Sequence, residues 1–226
     1  MSRVLSLTPA HIARIHREVP DTGPPPGMEL HTDADYAAWV ARIAEAAPPG
    51  PLRLFAYGSL IWKPEVAHTA ETLATVHGWH RSFCLRMIRF RATPDCPGLM
   101  MVLDRGGSCN GVLYDLPEDD LLATLARLFR REFTVKPINS MPQWITVRTA
   151  KGPARALAFV MNRASPAYLR LSLPDQAAML ARACGPLGTG AEYLLNTVTH
   201  LKAKGIHDSG LWTLQRLVAN QIDAAG

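Results

Sequence analysis

The chain of 226 residues is 48% hydrophobic, which is enough apolar material for one large domain with a substantial core. Its N-terminus lacks the apolar run of a signal peptide, and no stretch reaches the ~18 apolar residues of a membrane span. We therefore expect a cytoplasmic protein that does not bind membranes.

The formal charge of +5 makes anionic partners more favourable than cationic ones. The densest basic run lies at residues 81–91, in a predicted strand, where Arg81, Arg89 and Arg91 share one face and Arg86 points to the other. Such a run does not form a continuous stripe for phosphates and is typical of a solvated strand face. We expect no nucleic-acid partner.

Neither the cysteines nor the histidines indicate a metal site. The four cysteines show no C-x-x-C spacing, so reduced thiols are expected. His77 and His80 are three residues apart in a predicted strand and point to opposite faces. The sequence predicts neither a metal nor a cofactor.

The first 50 residues have the pattern of a helical extension with a proline-rich linker. Thr8 and Pro9 predict the start of a helix that runs to about residue 18, and the prolines in residues 20–27 exclude regular structure. Thr32 can cap a second helix over residues 33–47. We predict an extension at residues 1–50 and a folded domain at residues 51–226.

From residue 52 the pattern changes to strands, each bounded by Gly, Pro or Asp. The predicted strands cover residues 52–57, 72–79, 81–88, 99–103, 110–116, 144–149 and 154–161. Residues 105–108, with two glycines, predict a hairpin loop. Pro117 can open an amphipathic helix that ends near Phe133, and three more helices are predicted at residues 175–183, 191–204 and 211–223. This order predicts an α+β domain with a mixed sheet that can close into a barrel.

The stretch Tyr57-Gly58-Ser59-Leu60 follows the first of these strands and forms one candidate binding site. Gly58 permits a positive φ that makes neighbouring backbone N–H groups converge on an anion, and the Ser59 hydroxyl can both donate and accept. The turn could therefore hold a carboxylate and an amine together. The alternative is a turn with a structural role only, since such turns are common.

Glu132 is the candidate catalytic carboxylate. It lies at the C-terminal end of a predicted helix, where the macrodipole disfavours a negative charge. Burial in an apolar pocket would raise its pKa towards neutrality and suit it for proton transfer, although the neighbouring arginines oppose that change. The alternative is a surface acid paired with a neighbouring arginine.

Several motifs of the chain occur in an order that resembles the ChaC-like family, the glutathione-specific γ-glutamylcyclotransferases. They are Tyr57-Gly58-Ser59-Leu60-Ile61-Trp62, Gly78-Trp79-His80-Arg81-Ser82-Phe83-Cys84-Leu85, Arg131-Glu132-Phe133, Ala167-Tyr168-Leu169 and Gly185-Pro186-Leu187-Gly188-Thr189. The resemblance implies a γ-glutamylcyclotransferase-like fold, a small mixed β-barrel with flanking helices and a helical C-terminal region. It also implies cleavage of glutathione to 5-oxoproline and cysteinylglycine without a metal or cofactor. In that reaction Tyr57, Gly58, Ser59 and Leu60 would bind the substrate and Glu132 would be the general base and acid.

The loop after Glu132 departs from the family pattern. Relatives usually carry a tyrosine a few residues after the catalytic glutamate, whereas residues 134–140 here contain none. The substrate could therefore be another γ-glutamyl amine or dipeptide, and a non-catalytic binding module of the same fold is a further alternative. The presence of both Glu132 and the Tyr57 to Leu60 turn favours an enzyme.

Overall fold

The computed structural model describes residues 4–225 and places six α-helices and seven β-strands in them. The helices are α1 (Pro9–Ile15), α2 (Asp33–Glu45), α3 (Leu121–Glu132), α4 (Leu173–Arg182), α5 (Gly190–Ala203) and α6 (Ser209–Ala224). The strands are β1 (Arg53–Ala56), β2 (Ala70–Met87), β3 (Gly98–Asp115), β4 (Ser140–Thr149), β5 (Gly152–Met161), β6 (Cys184–Gly185) and β7 (Gly188–Thr189). A short 3-10 helix at Ser59–Ile61 follows β1. Within residues 4–225, none of the helices has the length and apolar character needed to cross a bilayer.

Five strands close into a small barrel in the order β1-β3-β2-β4-β5. β1 runs antiparallel to β3, with Ala56 opposite Val112, and β4 runs antiparallel to β5 along its full length. Parallel contacts of β5 with β1 and with β3 complete the closure. Because both strand directions occur, the barrel is mixed, and the predicted α+β class with a small mixed barrel is confirmed.

The two longest strands differ from the prediction. Residues 72–79 and 81–88 belong to the single strand β2, and the hairpin loop predicted at residues 105–108 is wrong, because these residues lie inside β3. Gly78, Gly106 and Gly107 adopt positive φ values of 80°, 108° and 66°. Left-handed glycines of this kind bend a strand that continues through them, as in a β-bulge. The glycine pair that indicated a chain reversal therefore marks a bend.

Two helix ends also differ from those predicted from the sequence. α1 ends at Ile15, where the sequence predicted a helix to about residue 18. α3 begins at Leu121, because Asp120 before it is left-handed with φ of 59°, so Pro117 does not open it. The Thr32 cap of α2 is confirmed, since its side chain accepts a hydrogen bond from the Asp35 N–H.

The described chain forms two compact units. One contains residues up to 26, residues 83–101 and residues from 169 onward, and the other contains residues 27–82 and 102–168. β2 and β3 each contribute residues to both units, and α1 and α2 belong to different units. The domain boundary at residue 51 stays a prediction.

The first unit is mainly helical. α6 packs against α4, α5 and α1, and the buried side chain of Gln215 accepts hydrogen bonds from the backbone N–H groups of Ser6 and Leu7 at 2.9 and 2.8 Å. Thr189 caps α5 by accepting from the Glu192 N–H at 2.9 Å. The predicted helical C-terminal region is thereby confirmed.

The second unit contains β1, β4 and β5, portions of β2 and β3, and the helices α2 and α3. α3 buries Leu125, Leu128 and Phe129, and the Phe129 ring lies edge-on to Phe159 of β5 with 6.1 Å between ring centroids. β1 and β3 approach closely at Gly111, where a Cβ atom would lie 2.5 Å from the Ala56 carbonyl oxygen. Only glycine allows this approach, so Gly111 sets the position of β1 at its last residue.

Candidate active site

The candidate binding turn begins where β1 ends. After Tyr57 the chain enters the 3-10 helix, in which the Ile61 N–H donates to the Gly58 carbonyl at 2.9 Å and the Lys63 N–H donates to the Ser59 carbonyl at 2.9 Å. Gly58 has φ of −136°, so the expectation of a positive φ at this residue is wrong. The chain turns instead through the short helix, whose first N–H groups have no partner within it.

Hydrogen bonds hold Tyr57 from two directions. Its hydroxyl donates to the Phe159 carbonyl of β5 at 2.8 Å, and its own carbonyl accepts from Arg81 Nε at 2.6 Å. Arg81 Nη2 also donates to the carbonyl of Asn110 on β3. These bonds connect the start of the turn to three strands of the barrel.

Arg81 corrects one expectation from the sequence. The basic run that contains it was assigned to a solvated strand face, but Arg81 is only 7% exposed. Burial of a guanidinium is costly unless its donors are satisfied, and here two backbone carbonyls accept from it. A strand pattern alone does not show which arginine meets two carbonyls.

Glu132 is the last residue of α3, and its side chain is 18% exposed. Burial raises the pKa of Glu132 from its ordinary 4.5 to about 7. The Arg131 guanidinium opposes this change in pKa, and the carboxylate of Glu65 adds to it. Glu132 is therefore largely shielded from solvent and also paired with its neighbouring arginine. The pairing agrees with the alternative of a surface acid, whereas the shielding and the raised pKa agree with the hypothesis of proton transfer.

Arg131 connects the two predicted features of the site. Its Nε lies 3.1 Å from Glu132 Oε1, and its Nη2 donates to Ser59 Oγ at 3.2 Å. Its Nη1 donates to the Lys63 carbonyl and lies 3.5 Å from Glu65 Oε2. One guanidinium thus contacts both Glu132 and the turn.

The sequence contained one signal for this role of Arg131, which is its position directly before Glu132. From the sequence, Arg131 is expected to form at most a local ion pair with Glu132. Adjacent residues on a helix project in different directions, so this position alone does not predict which other groups Arg131 contacts. The contacts to Ser59 and Lys63 depend on how α3 docks beside the turn, about 70 residues earlier in the chain.

In the part of the chain that the structure describes, no group of three or more His, Cys, Asp or Glu side chains is arranged to hold a metal. The site contains a carboxyl group with a pKa near neutrality, a guanidinium and a hydroxyl beside a backbone turn. Such a set can move a proton and hold a small anionic group.

The fold is shared with a known class of proteins. The solved structure of a selenomethionine-labelled γ-glutamylcyclotransferase specific to glutathione from yeast superposes with a TM-score of 0.67 and 18% sequence identity. The superposition covers 75% of this chain and 96% of the yeast chain. The fold predicted from the resemblance, a γ-glutamylcyclotransferase-like barrel, is confirmed.

The chain belongs to the ChaC-like protein family, whose model matches residues 52–221. It is 37% identical over 177 residues to the glutathione-specific γ-glutamylcyclotransferase of Escherichia coli (strain K12), which covers 77% of this chain and 76% of that relative. It is 29% identical over 190 residues to glutathione-specific γ-glutamylcyclotransferase 1 of Mus musculus, with coverage of 80% and 81%. The family predicted from the ordered motifs is confirmed.

Proposed function

We propose that the protein is a glutathione-specific γ-glutamylcyclotransferase, a lyase that converts glutathione to 5-oxoproline and cysteinylglycine. The observation that carries this proposal is Glu132, a largely shielded carboxyl group with a pKa of about 7 that Arg131 holds beside the Tyr57 to Leu60 turn. The relatives from Escherichia coli and Mus musculus, both named for this activity, support the same substrate.

The reaction needs no protein nucleophile. In a γ-glutamyl amide the α-amine lies within reach of the γ-carbonyl carbon and can close a five-membered ring. An enzyme that holds the glutamyl chain folded gains the large effective molarity of an intramolecular reaction. The new C–N bond replaces the amide bond to cysteine, so the reaction consumes no water and no redox partner.

Glu132 moves the protons in this scheme. Its carboxylate accepts a proton from the substrate α-ammonium, which frees the amine lone pair to attack the γ-carbonyl. The resulting carboxylic acid returns this proton to the departing amide nitrogen as the C–N bond to cysteine breaks. The ring nitrogen, which still carries one proton more than the lactam, gives it to the regenerated carboxylate, from which it passes to the released amine. A pKa near 7 suits both steps, because the group is partly ionised at neutral pH and is still a competent acid.

Tyr57, Gly58, Ser59 and Leu60 bind the substrate in this scheme and hold its α-carboxylate and α-amine. The rigidity of the turn supports this role, because Arg81 and the Phe159 carbonyl fix Tyr57 and Arg131 fixes Ser59. Binding groups held in this way keep the substrate folded for ring closure.

The remaining parts of the proposal concern partners and location. The substrate is the only partner proposed, without nucleic acid, membrane, metal or cofactor, and the proposed location is the cytoplasm. None of the four cysteines forms a disulfide in the structure, which supports a reducing compartment.

A different γ-glutamyl substrate is the second candidate, because residues 134–140 lack the tyrosine that relatives usually carry after the catalytic glutamate. This loop could then contact another amine in place of cysteinylglycine. Glu132 and the turn would perform the same chemistry.

We expect the purified protein to release 5-oxoproline from glutathione in the presence of a chelator. A panel of γ-glutamyl amines and dipeptides, assayed for 5-oxoproline by amino-acid analysis, separates the two candidates. A higher kcat/KM for another γ-glutamyl compound would assign that substrate instead. Activity that is lost on chelation and restored by a divalent cation would contradict the metal-free mechanism.

A further inference from the structure

A segment that precedes the family match lies along the loop that follows Glu132. We call residues 29–36 the strap and residues 133–136 the loop. The Lys136 N–H donates to the Glu29 carbonyl at 2.8 Å, and the His31 N–H donates to the Thr134 carbonyl at 3.0 Å. Between these bonds Leu30 and Val135 form an antiparallel β-bridge. The strap therefore pairs with the loop backbone as a short strand would.

Side chains of the strap make further contacts with the loop. The buried Tyr36 hydroxyl donates to the Phe133 carbonyl at 3.0 Å. Lys136 Nζ lies 2.7 Å from Asp35 Oδ2 and 3.1 Å from Glu29 Oε1. The His31 ring packs against the Phe133 ring with 5.3 Å between centroids. Each of the four loop residues is thus in contact with the strap.

The strap also reaches the helix on the other side of Glu132. Arg130 Nη1 of α3 lies 2.8 Å from Asp33 Oδ1, and its guanidinium lies 4.7 Å from the centre of the Tyr36 ring. The residues two before and one after Glu132 are therefore both anchored to the strap.

These contacts matter because Glu132 is the last residue of its helix. The final carbonyl groups of a helix have no partner within it, and helix ends fray. Phe133 is already extended, with φ of −146°, although its N–H still donates to the Phe129 carbonyl of α3. The Phe133 carbonyl and the residues after it take their hydrogen bonds from outside α3. The strap supplies those bonds at Phe133, Thr134 and Lys136.

We propose that the strap is a positioning element that holds Glu132 in its reactive place through the loop. This inference rests on the proposed function of Glu132. It gives a role to residues that lie before position 52, where the family match begins. Lys136 and Tyr36 are the positioning residues that carry the side-chain part of the contact.

Two variants remove the side-chain contacts of Lys136 and Tyr36 and leave the backbone pairing, the turn and Glu132 unchanged. Lys136→Met deletes both ion pairs, and Tyr36→Phe deletes one hydrogen bond while keeping the ring. We expect each to lower kcat by about tenfold with KM changed less than about twofold, since a displacement of 1 Å can cost up to ~10²-fold. Lys136→Arg, which can still pair with both carboxylates, should recover most of the lost kcat.

Arg89→Met is the matched control, because Arg89 is similarly exposed, at 25% against 28% for Lys136, and its ion pair is with Asp21. We expect it to keep the wild-type kcat. A loss of kcat in Arg89→Met equal to that in Lys136→Met would show that any broken ion pair has this effect and would overturn the proposal.

Amide hydrogen exchange separates the failure of this inference from the failure of the proposed function. In Lys136→Met the amides of residues 133–136 should exchange at least about tenfold faster than in wild type, because local opening is easier. Unchanged exchange, or faster exchange with unchanged kcat, would contradict the positioning role. A wild-type protein that turns over no γ-glutamyl compound would contradict the proposed function, and the exchange rates would still decide whether the strap holds the loop.

Discussion

Replacing Glu132 with glutamine is expected to lower kcat by at least ~10², the typical effect of removing a general acid or base. Glutamine keeps the size of the side chain and most of its hydrogen-bonding capacity but cannot cycle a proton. The substrate should still bind with nearly the wild-type KM, because Tyr57 to Leu60 are unchanged. Steady-state release of 5-oxoproline measures both constants.

Glu45→Gln is the matched control for this variant. Glu45 is also the last residue of its helix, α2, but it is exposed. The same substitution there should leave kcat unchanged. Near wild-type turnover by Glu132→Gln would show that Glu132 does not move protons in the reaction.

Glu132→Gln should also change how stability depends on pH. The pKa of Glu132 is raised from 4.5 to about 7 in the folded protein, so between these values the unfolded chain releases a proton that the folded protein keeps. The wild-type free energy of unfolding therefore falls as pH rises through this window, by about 3 kcal/mol at ~1.4 kcal/mol per pKa unit. Glutamine does not titrate, so the variant lacks this decrease. Its free energy of unfolding, measured by denaturant titration and compared with that of wild type, should therefore rise between pH 4 and pH 8.

Replacing Arg131 with methionine is expected to lower kcat/KM at pH 7 by at least about tenfold, because two effects combine. The guanidinium lowers the pKa of Glu132, so its loss moves that pKa above 7 and leaves the acid largely protonated at neutral pH. The variant also loses the bond to Ser59 Oγ, which should raise KM. The acid limb of the pH profile of kcat/KM should move to higher pH, with activity partly recovered there.

Glu65→Gln provides the opposite test. The Glu65 carboxylate raises the pKa of Glu132 and shares Arg131 with it, while Lys63 pairs with Glu65 at 3.0 Å. Its removal should move the acid limb to lower pH. If the pH profiles of kcat/KM for Arg131→Met and Glu65→Gln shift in the same direction, or do not shift, Glu132 does not set the acid limb.

Much of the fold could be predicted because its signals are local. The Thr32 cap, the apolar face of α3 and the β-rich stretch from residue 52 depend on neighbours within a few residues. The long strands β2 and β3 could not be predicted, because a positive-φ glycine bends a strand or reverses a chain depending on the partners of that strand. For the same reason, the sequence could not predict that the φ of Gly58 is negative.

The parts of the site that the sequence did not reveal are contacts between distant residues. Tyr36 and Phe133 are 97 residues apart, and Arg131 and Ser59 are 72 apart. Arg81 is buried because β2 places it beside Tyr57 and Asn110. Glu132 could be chosen as a candidate from its unfavourable position at a helix end, whereas the groups that contact it depend on the packing of the barrel.

The most direct test of the proposed mechanism is the fate of the γ-carbonyl in water labelled with ¹⁸O. The protein is incubated with glutathione in H₂¹⁸O, and the γ-glutamyl product is identified by mass spectrometry. Attack by the substrate's own amine predicts 5-oxoproline without ¹⁸O, and Glu132→Gln should make this product at least ~10²-fold more slowly. Glutamate that carries ¹⁸O in its γ-carboxyl group would show hydrolysis and contradict the mechanism.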